Sequence, residues 1–247
     1  MDTWLIPFEF LDPTQKEAVA DLKNKNSIVV GPPGSGKTQV LLHRAAFLKE
    51  KYALSPEKFR VFVFTNSLKN FIKPELDLLG LDEENISTFD SWCYKYFKEN
   101  VAKTTPWNKK ERVPDFKKIR EQVLEKIKKK KEGKIFSFLV VDEAQDFSSE
   151  VIEILTLITE NLTLAFDSRQ RIYENGSSLQ NIKGTLKNDN VYYLQSGYRC
   201  SEPIKDVASI LLENPSEKTN FEREYSRIEG PVEKPLLFLA ADWSATG

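Results

Sequence analysis

Residues 31–38 read Gly31-Pro32-Pro33-Gly34-Ser35-Gly36-Lys37-Thr38, and this octet constrains the fold more than any other stretch of the chain. It matches the phosphate-loop pattern G-x-x-x-x-G-K-[S/T], whose chemistry requires a strand before it and a helix after it. Both are present. Ser27-Ile28-Val29-Val30 is an apolar strand run, and Val40, Leu41, Phe47 and Leu48 recur at helical spacing over 37–50. Gly31, Gly34 and Gly36, with Pro32 and Ser35 among them, allow a turn whose backbone N–H groups converge on phosphate oxygens. The helix N-terminus behind it adds positive potential. Lys37 would then neutralise β- and γ-phosphates, and the Thr38 hydroxyl would hold Mg²⁺.

Such a loop needs a metal-ordering carboxylate at the end of a second strand. Leu139-Val140-Val141-Asp142-Glu143 supplies it. Asp142 is placed in the Mg²⁺ shell, and Glu143 is the candidate base for the attacking water, which points to hydrolysis rather than nucleotide storage. Further apolar runs at 60–64, 136–141, 162–166 and 191–194 alternate with helical patterns, among them Val151, Ile154, Leu155 and Ile158. Short apolar strands separated by helices predict an α/β chain with a parallel sheet covered on both faces, and a ligand edge at the strand C-termini.

Composition narrows the class further. An apolar fraction of 40% with 11% aromatics excludes a disordered chain. Two cysteines, Cys93 and Cys200, and one histidine, His43, argue against a disulfide scaffold or a zinc cage. Cys93, amid Trp92, Tyr94 and Phe97, reads as a buried thiol, and His43 as a packing or surface residue. The N-terminus lacks a signal-peptide pattern, and no run approaches the roughly 20 apolar residues that span a bilayer. A soluble, cytoplasmic chain with no membrane partner is expected. Residues 109–134 hold twelve Lys/Arg against five Asp/Glu, although the whole chain carries a net charge of only −1. With Phe116, Ile119, Val123 and Ile127 on one stripe, this segment predicts a basic amphipathic helix. It could contact phosphates or simply be a solvated face.

The box Asp142-Glu143-Ala144-Gln145-Asp146 resembles the D-E-x-Q-D motif of superfamily 1 DNA helicases of the UvrD/Rep type, and other blocks follow in that family's order. Leu11-Asp12-Pro13-Thr14-Gln15 is similar to its Q motif, which implies that Gln15 reads the adenine edge and that ATP is preferred. The segment from Thr38 to Arg44 is similar to the helix after the loop, with Arg44 implied to lie over the base. Phe64-Thr65-Asn66 resembles motif Ia, and the stretch containing Thr88, Phe89 and Asp90 resembles motif Ib. Both are implied to contact single-stranded nucleic acid, where Phe64 would stack on a base; Phe89 could stack as well, although a strand-end aromatic is more often core. Histidine is usual in that family at the position of Asp90. The segment from Asp167 to Tyr173 resembles motif III, with Gln170 sensing the γ-phosphate and Tyr173 stacking on a base. Gly197-Tyr198-Arg199-Cys200 resembles motif IV, with Tyr198 near the adenine and Arg199 approaching the γ-phosphate.

The resemblance implies a RecA-like ATP-binding lobe over 1–214 with a short basic insertion at about 95–134, a linker at 215–230, and the start of a second lobe at 231–247. It implies an ATPase with ATP and Mg²⁺ as cofactors, the motor lobe of a helicase or translocase on single-stranded DNA in preference to RNA. Family helicases complete the ATP site with an arginine from a second lobe. A second chain or a C-terminal lobe would supply that arginine here, so the chain alone is expected to hydrolyse ATP weakly and not to unwind. The other reading is an ATP-gated module that binds nucleic acid or a partner protein without translocating.

Overall fold

The computed structural model describes residues 3–22, 25–130, 133–167, 177–187 and 190–194, together with 206–207, 209–211, 215 and 218–219. The chain divides into two units, Met1–Gly31 with Gly36–Leu194, and Pro32–Ser35 with Gln195–Gly247. In the second, Pro32–Ser35 forms a tight turn in which the Ser35 N–H donates to the Pro32 carbonyl at 3.2 Å. Gly34 lies at φ 77°, a left-handed conformation that glycine adopts without strain.

The first unit is built on a six-stranded parallel sheet. Its elements begin with α1 (Pro13–Ala20), β1 (Asn26–Val30), α2 (Lys37–Tyr52), β2 (Phe59–Val63), α3 (Asn66–Ile72), β3 (Ile86–Thr88) and α4 (Phe89–Asn100). A two-stranded antiparallel ribbon, β4 (Trp107–Asn108) and β5 (Val113–Pro114), leads into α5 (Phe116–Lys130). Then come β6 (Phe136–Val141), α6 (Ser149–Ile158), β7 (Thr159–Phe166), α7 (Leu179–Leu186) and β8 (Val191–Tyr193). The strand order is β3-β2-β6-β7-β1-β8, an α/β core of the RecA-like kind.

Side chains alternate across the sheet, so both faces are apolar. Phe62, Leu139, Val141, Leu162, Leu164 and Phe166 point to the face covered by α4, α5, α6 and α7. Val61, Val63, Phe138, Val140 and Ala165 point to the opposite face, under α2. This is why the strands read as continuous apolar runs rather than alternating ones. A third cluster joins Ala18 and Val19 of α1 to Val29 and Tyr192.

Because every strand of this sheet is parallel, the C-terminal ends of β1, β7 and β6 lie along one edge. The loop strand β1 and the carboxylate strand β6 are separated only by β7. That order brings Gly31, Asp142 and Asp167, each directly after its strand, to one place.

The structure departs from expectation in three elements. The basic helix starts at Phe116 rather than near 109, because Pro114 cannot continue a helix backwards and Asp115 accepts from the Lys118 N–H at 3.1 Å as its cap. Residues 107–114 form the ribbon instead. β7 begins three residues before the expected 162, directly at the end of α6, and β3 is an edge strand with no expected counterpart.

Candidate active site

Gly36 precedes α2 at φ 84°, and a Cβ there would approach the Gln15 Nε2 to 2.6 Å. Glycine is required on both counts, and the side chain of Gln15 fills the space a larger residue would take. Gln15 is held there by its own helix start. Its N–H donates to Asp12 Oδ1 at 2.8 Å while its Oε1 accepts from the Asp12 N–H at 2.9 Å, a reciprocal cap at the start of α1. The Q-motif glutamine is thus fixed beside the last glycine of the loop.

Lys37, buried at the first position of α2, donates from Nζ to the Gly31 carbonyl at 2.9 Å and to Asp167 Oδ2 at 3.1 Å. The Thr38 hydroxyl donates to Asp142 Oδ2 at 2.7 Å. Asp142 is 1% exposed, and burial together with the adjacent Glu143 raises its pKa to about 6. A buried carboxylate facing a hydroxyl is a donor set suited to a hard cation. The two side chains supply two oxygens and leave the remaining positions to phosphate and water, as Mg²⁺ sites commonly do. These residues fit the expected ion.

Glu143 is held at φ 52°, ψ 46°, a left-handed conformation unusual for a residue with a side chain. Gln145 Nε2 donates to Glu143 Oε2 at 2.5 Å, and Gln145 Oε1 accepts from the Asp167 N–H at 3.0 Å. A continuous chain therefore runs Lys37–Asp167–Gln145–Glu143. Strain of this kind at a carboxylate oriented by its neighbours is a mark of functional positions. Gln145 and Asp167 are functional positions to which the sequence motifs assign no separate role. The signal that identifies them is position: Asp167 directly follows the apolar run 162–166, and Gln145 lies two residues beyond the acidic pair Asp142-Glu143.

Arg44 departs from its expected place over the base. It is 2% exposed, and its Nη1 donates to the carbonyls of Ala18, Val19 and Asp21 at 2.9–3.1 Å, while its Nε donates to Thr163 Oγ1 at 2.8 Å. Helix ends leave carbonyls unpaired, and a buried guanidinium two turns into α2 takes up those of α1. Burial lowers its pKa, and Asp21 opposes that shift. Arg44 clamps α1 to the sheet.

The motif Ia and Ib residues converge beside this edge. Phe64, Thr65, Asn66, Thr88 and Phe89 line one groove of about 640 Å³, with Asp90, Phe116, Arg120, Asp146 and Phe147. Thr65 and Thr88 cap α3 and α4, accepting from the N–H groups of Leu68 and Ser91. Phe64 is partly exposed against Phe147. Phe89, a candidate nucleic-acid contact, takes the core alternative. At 1% exposure it packs on Phe62, Trp92 and Phe147 with ring centroids 5.8–5.9 Å apart, so its ring belongs to the core. Gln170, Tyr173, Tyr198 and Arg199 lie outside the described residues. His43 packs beside the N-terminal segment, within 2.7 Å of the Ile6 carbonyl, and Cys93 is buried. No helix among the described residues is long and apolar enough to cross a membrane.

Comparison with known proteins bears on the same region. The UvrD/REP helicase N-terminal domain matches residues 11–136, just over half of the chain. The chain is 32% identical over 138 residues to the ATP-dependent DNA helicase srs2 of Schizosaccharomyces pombe, covering 53% of this chain and 15% of that protein. It is 33% identical over 94 residues to the ATP-dependent DNA helicase PcrA of Bacillus subtilis, covering 37% of this chain and 13% of that one. Among solved structures, Pif1 helicase from Candida albicans aligns over 74% of this chain and 39% of its own, at 16% identity and a TM-score of 0.47. The chain spans less than a sixth of the length of these curated relatives.

Proposed function

Because the chain belongs to the UvrD/REP helicase N-terminal domain family, we propose that it binds and hydrolyses ATP as the motor lobe of a helicase or translocase on single-stranded DNA. The lobe is assigned to 1–214, with 215–230 a linker and 231–247 the opening of a second lobe. The observation that carries the reading is the chain Lys37–Asp167–Gln145–Glu143 beside the Thr38–Asp142 pair.

Lys37 Nζ, which rests on Asp167 and the Gly31 carbonyl, exchanges those partners for the β/γ-phosphate oxygens. Thr38 and Asp142 would hold Mg²⁺, which when bound neutralises charge on the same phosphates. Glu143, oriented by Gln145, accepts a proton from the attacking water, and Gln15 reads the adenine edge. Gln170 and Arg199 are assigned to the γ-phosphate, and Tyr198 to the base. Thr65, Asn66, Thr88 and Phe64 are assigned to the path of the single strand, and Tyr173 to a stacking contact with it. The ring of Phe89 contributes only the wall of that path.

Beside Lys37 and Arg199, the resemblance implies a further arginine supplied by a second lobe or a second chain. Phosphoryl transfer gains several orders of magnitude from an additional arginine. Turnover by the 247-residue chain is therefore slow, and strand separation is not expected of it alone.

The test is steady-state ATP hydrolysis with and without single-stranded DNA, beside Lys37→Ala and Glu143→Gln. Expected is DNA-stimulated turnover that both substitutions abolish, with Glu143→Gln still binding ATP. Tight ATP binding with no turnover under any nucleic acid would replace this reading with that of an ATP-gated binding module.

A further inference from the structure

The groove lined by Phe64, Thr65, Thr88 and Phe116 contains an ion pair that ATP chemistry does not use. Arg120 of α5 grips Asp90 of α4 as a fork. Its Nε donates to Oδ1 at 2.8 Å, and its Nη2 lies 2.6 Å from both Oδ1 and Oδ2. The two side chains are part-exposed, at 27% and 37%. Arg120 is the one cation lining the groove among the described residues, against the carboxylates of Asp90 and Asp146. A path for a polyanion thus has its cation already neutralised.

The pair is built to exchange. Asp90 sits in the first turn of α4, after the Thr88 cap, where the helix dipole favours an acid whether or not a cation is near. A part-exposed ion pair in water is worth little. The planar fork that matches a carboxylate also matches two oxygens of a phosphate. Arg120 can therefore pass from Asp90 to a phosphate while Asp90 stays solvated and held by its helix. The basic insertion, whose contribution to binding was open from the sequence, reaches the groove through this residue.

We infer that Asp90 sets the groove's affinity for single-stranded DNA by occupying Arg120, the guanidinium that otherwise grips a backbone phosphate. This rests on the proposed reading of the groove as the strand's path. Asp90 acts through Arg120 as a positioning residue, and Arg120 is the phosphate ligand.

The experiment is fluorescence anisotropy of a labelled oligo-thymidine strand against the full chain across a salt series, for wild type, Asp90→Asn, Arg120→Gln and the double variant. Urea midpoints confirm that each is folded. If Asp90→Asn does not fold, Asp90→Ser, which keeps a polar group in the first turn of α4, takes its place. Expected is about two- to fivefold tighter binding for Asp90→Asn, the worth of freeing a surface pair. The log–log salt slope should steepen by a fraction of about 0.7, the increment for one phosphate on a single strand, because Arg120 already makes part of that contact in the wild type. Arg120→Gln should bind more weakly with a shallower slope, and the double variant should match it. A purely structural tie between α4 and α5 would move urea midpoints and leave the slope unchanged, which overturns the inference. Equal tightening by Asp90→Asn with and without Arg120 also overturns it, since that is general charge removal. Absence of wild-type binding at every salt concentration would instead overturn the groove reading, and this inference with it.

Discussion

Arg44→Ala separates a structural clamp from a base contact, because the structure commits the guanidinium to α1 and β7. Four hydrogen bonds are lost, to the Ala18, Val19 and Asp21 carbonyls and the Thr163 hydroxyl. Bonds from a charged donor are worth about 1.5–3 kcal/mol each in net terms. Part of that was spent on desolvating the guanidinium, which burial makes evident by lowering its pKa. Truncation returns the desolvation cost but leaves at least two carbonyls at the end of α1 facing a void, at about 1–3 kcal/mol apiece. The balance is a loss of about 3–4 kcal/mol, within the usual range for removing one partner of a buried charged network. In a unit of this size that lowers Tm by about 6–16 °C. Urea unfolding without nucleotide measures the loss, and Arg44→Lys should recover less than half of it, since an ammonium cannot span the three carbonyls and the hydroxyl together. ATP affinity, measured at low urea where the variant is folded, should change less than threefold. An unchanged urea midpoint with a tenfold loss of ATP affinity would refute the clamp and return Arg44 to the base.

Asp142 has a raised pKa, so its protonated form is favoured by folding. Its charge therefore costs stability above about pH 6, and that cost disappears as pH falls through this value toward the unfolded pKa near 4. The stability difference between wild type and Asp142→Asn without nucleotide should shrink on going from pH 7.5 to 4.5, with the variant the more stable at pH 7.5; a constant difference would exclude the shift. Gly36→Ala forces a φ of +84° on a residue with a Cβ and places that atom 2.6 Å from Gln15 Nε2. A loss of about 1–2 kcal/mol from the backbone alone is expected in thermal melts, with a larger loss when Gln15 is present than in a Gln15→Ala background. Cys93 is fully buried with its thiol pushed up to about 12, so in a Cys200→Ser chain a thiol reagent should react only on unfolding. Rapid labelling of the native chain would contradict the packing around α4.

Contiguous residues determined the parts of this protein whose physics is local. The strand, glycine turn, Lys37-Thr38 and helix need no distant partner to declare a phosphate loop, and Asp142-Glu143 announces itself at the end of an apolar run. The four longer strands β1, β2, β6 and β7 were legible because strands buried on both faces are nearly uninterrupted apolar runs. The ribbon at 107–114 was not, because a local excess of lysine looks alike in a helix or a turn. Only Pro114 and Asp115 reveal where the helix begins.

What the tertiary structure decided are pairings across long stretches of chain. Lys37 meets Asp167 because β1 and β7 are neighbours, and no spacing rule states that adjacency. Arg44 lies two turns after the loop, close enough in sequence to suggest the base, yet the return of α1 under α2 puts three carbonyls in front of it. Phe89 carries the right chemistry for stacking, but the turn from β3 into α4 directs its ring inward. Asp90 looked like an acid misplaced on a phosphate path until α5 brought Arg120 onto it. In each case the residue type was readable from the sequence, but its partner depended on how strands and helices close around one another.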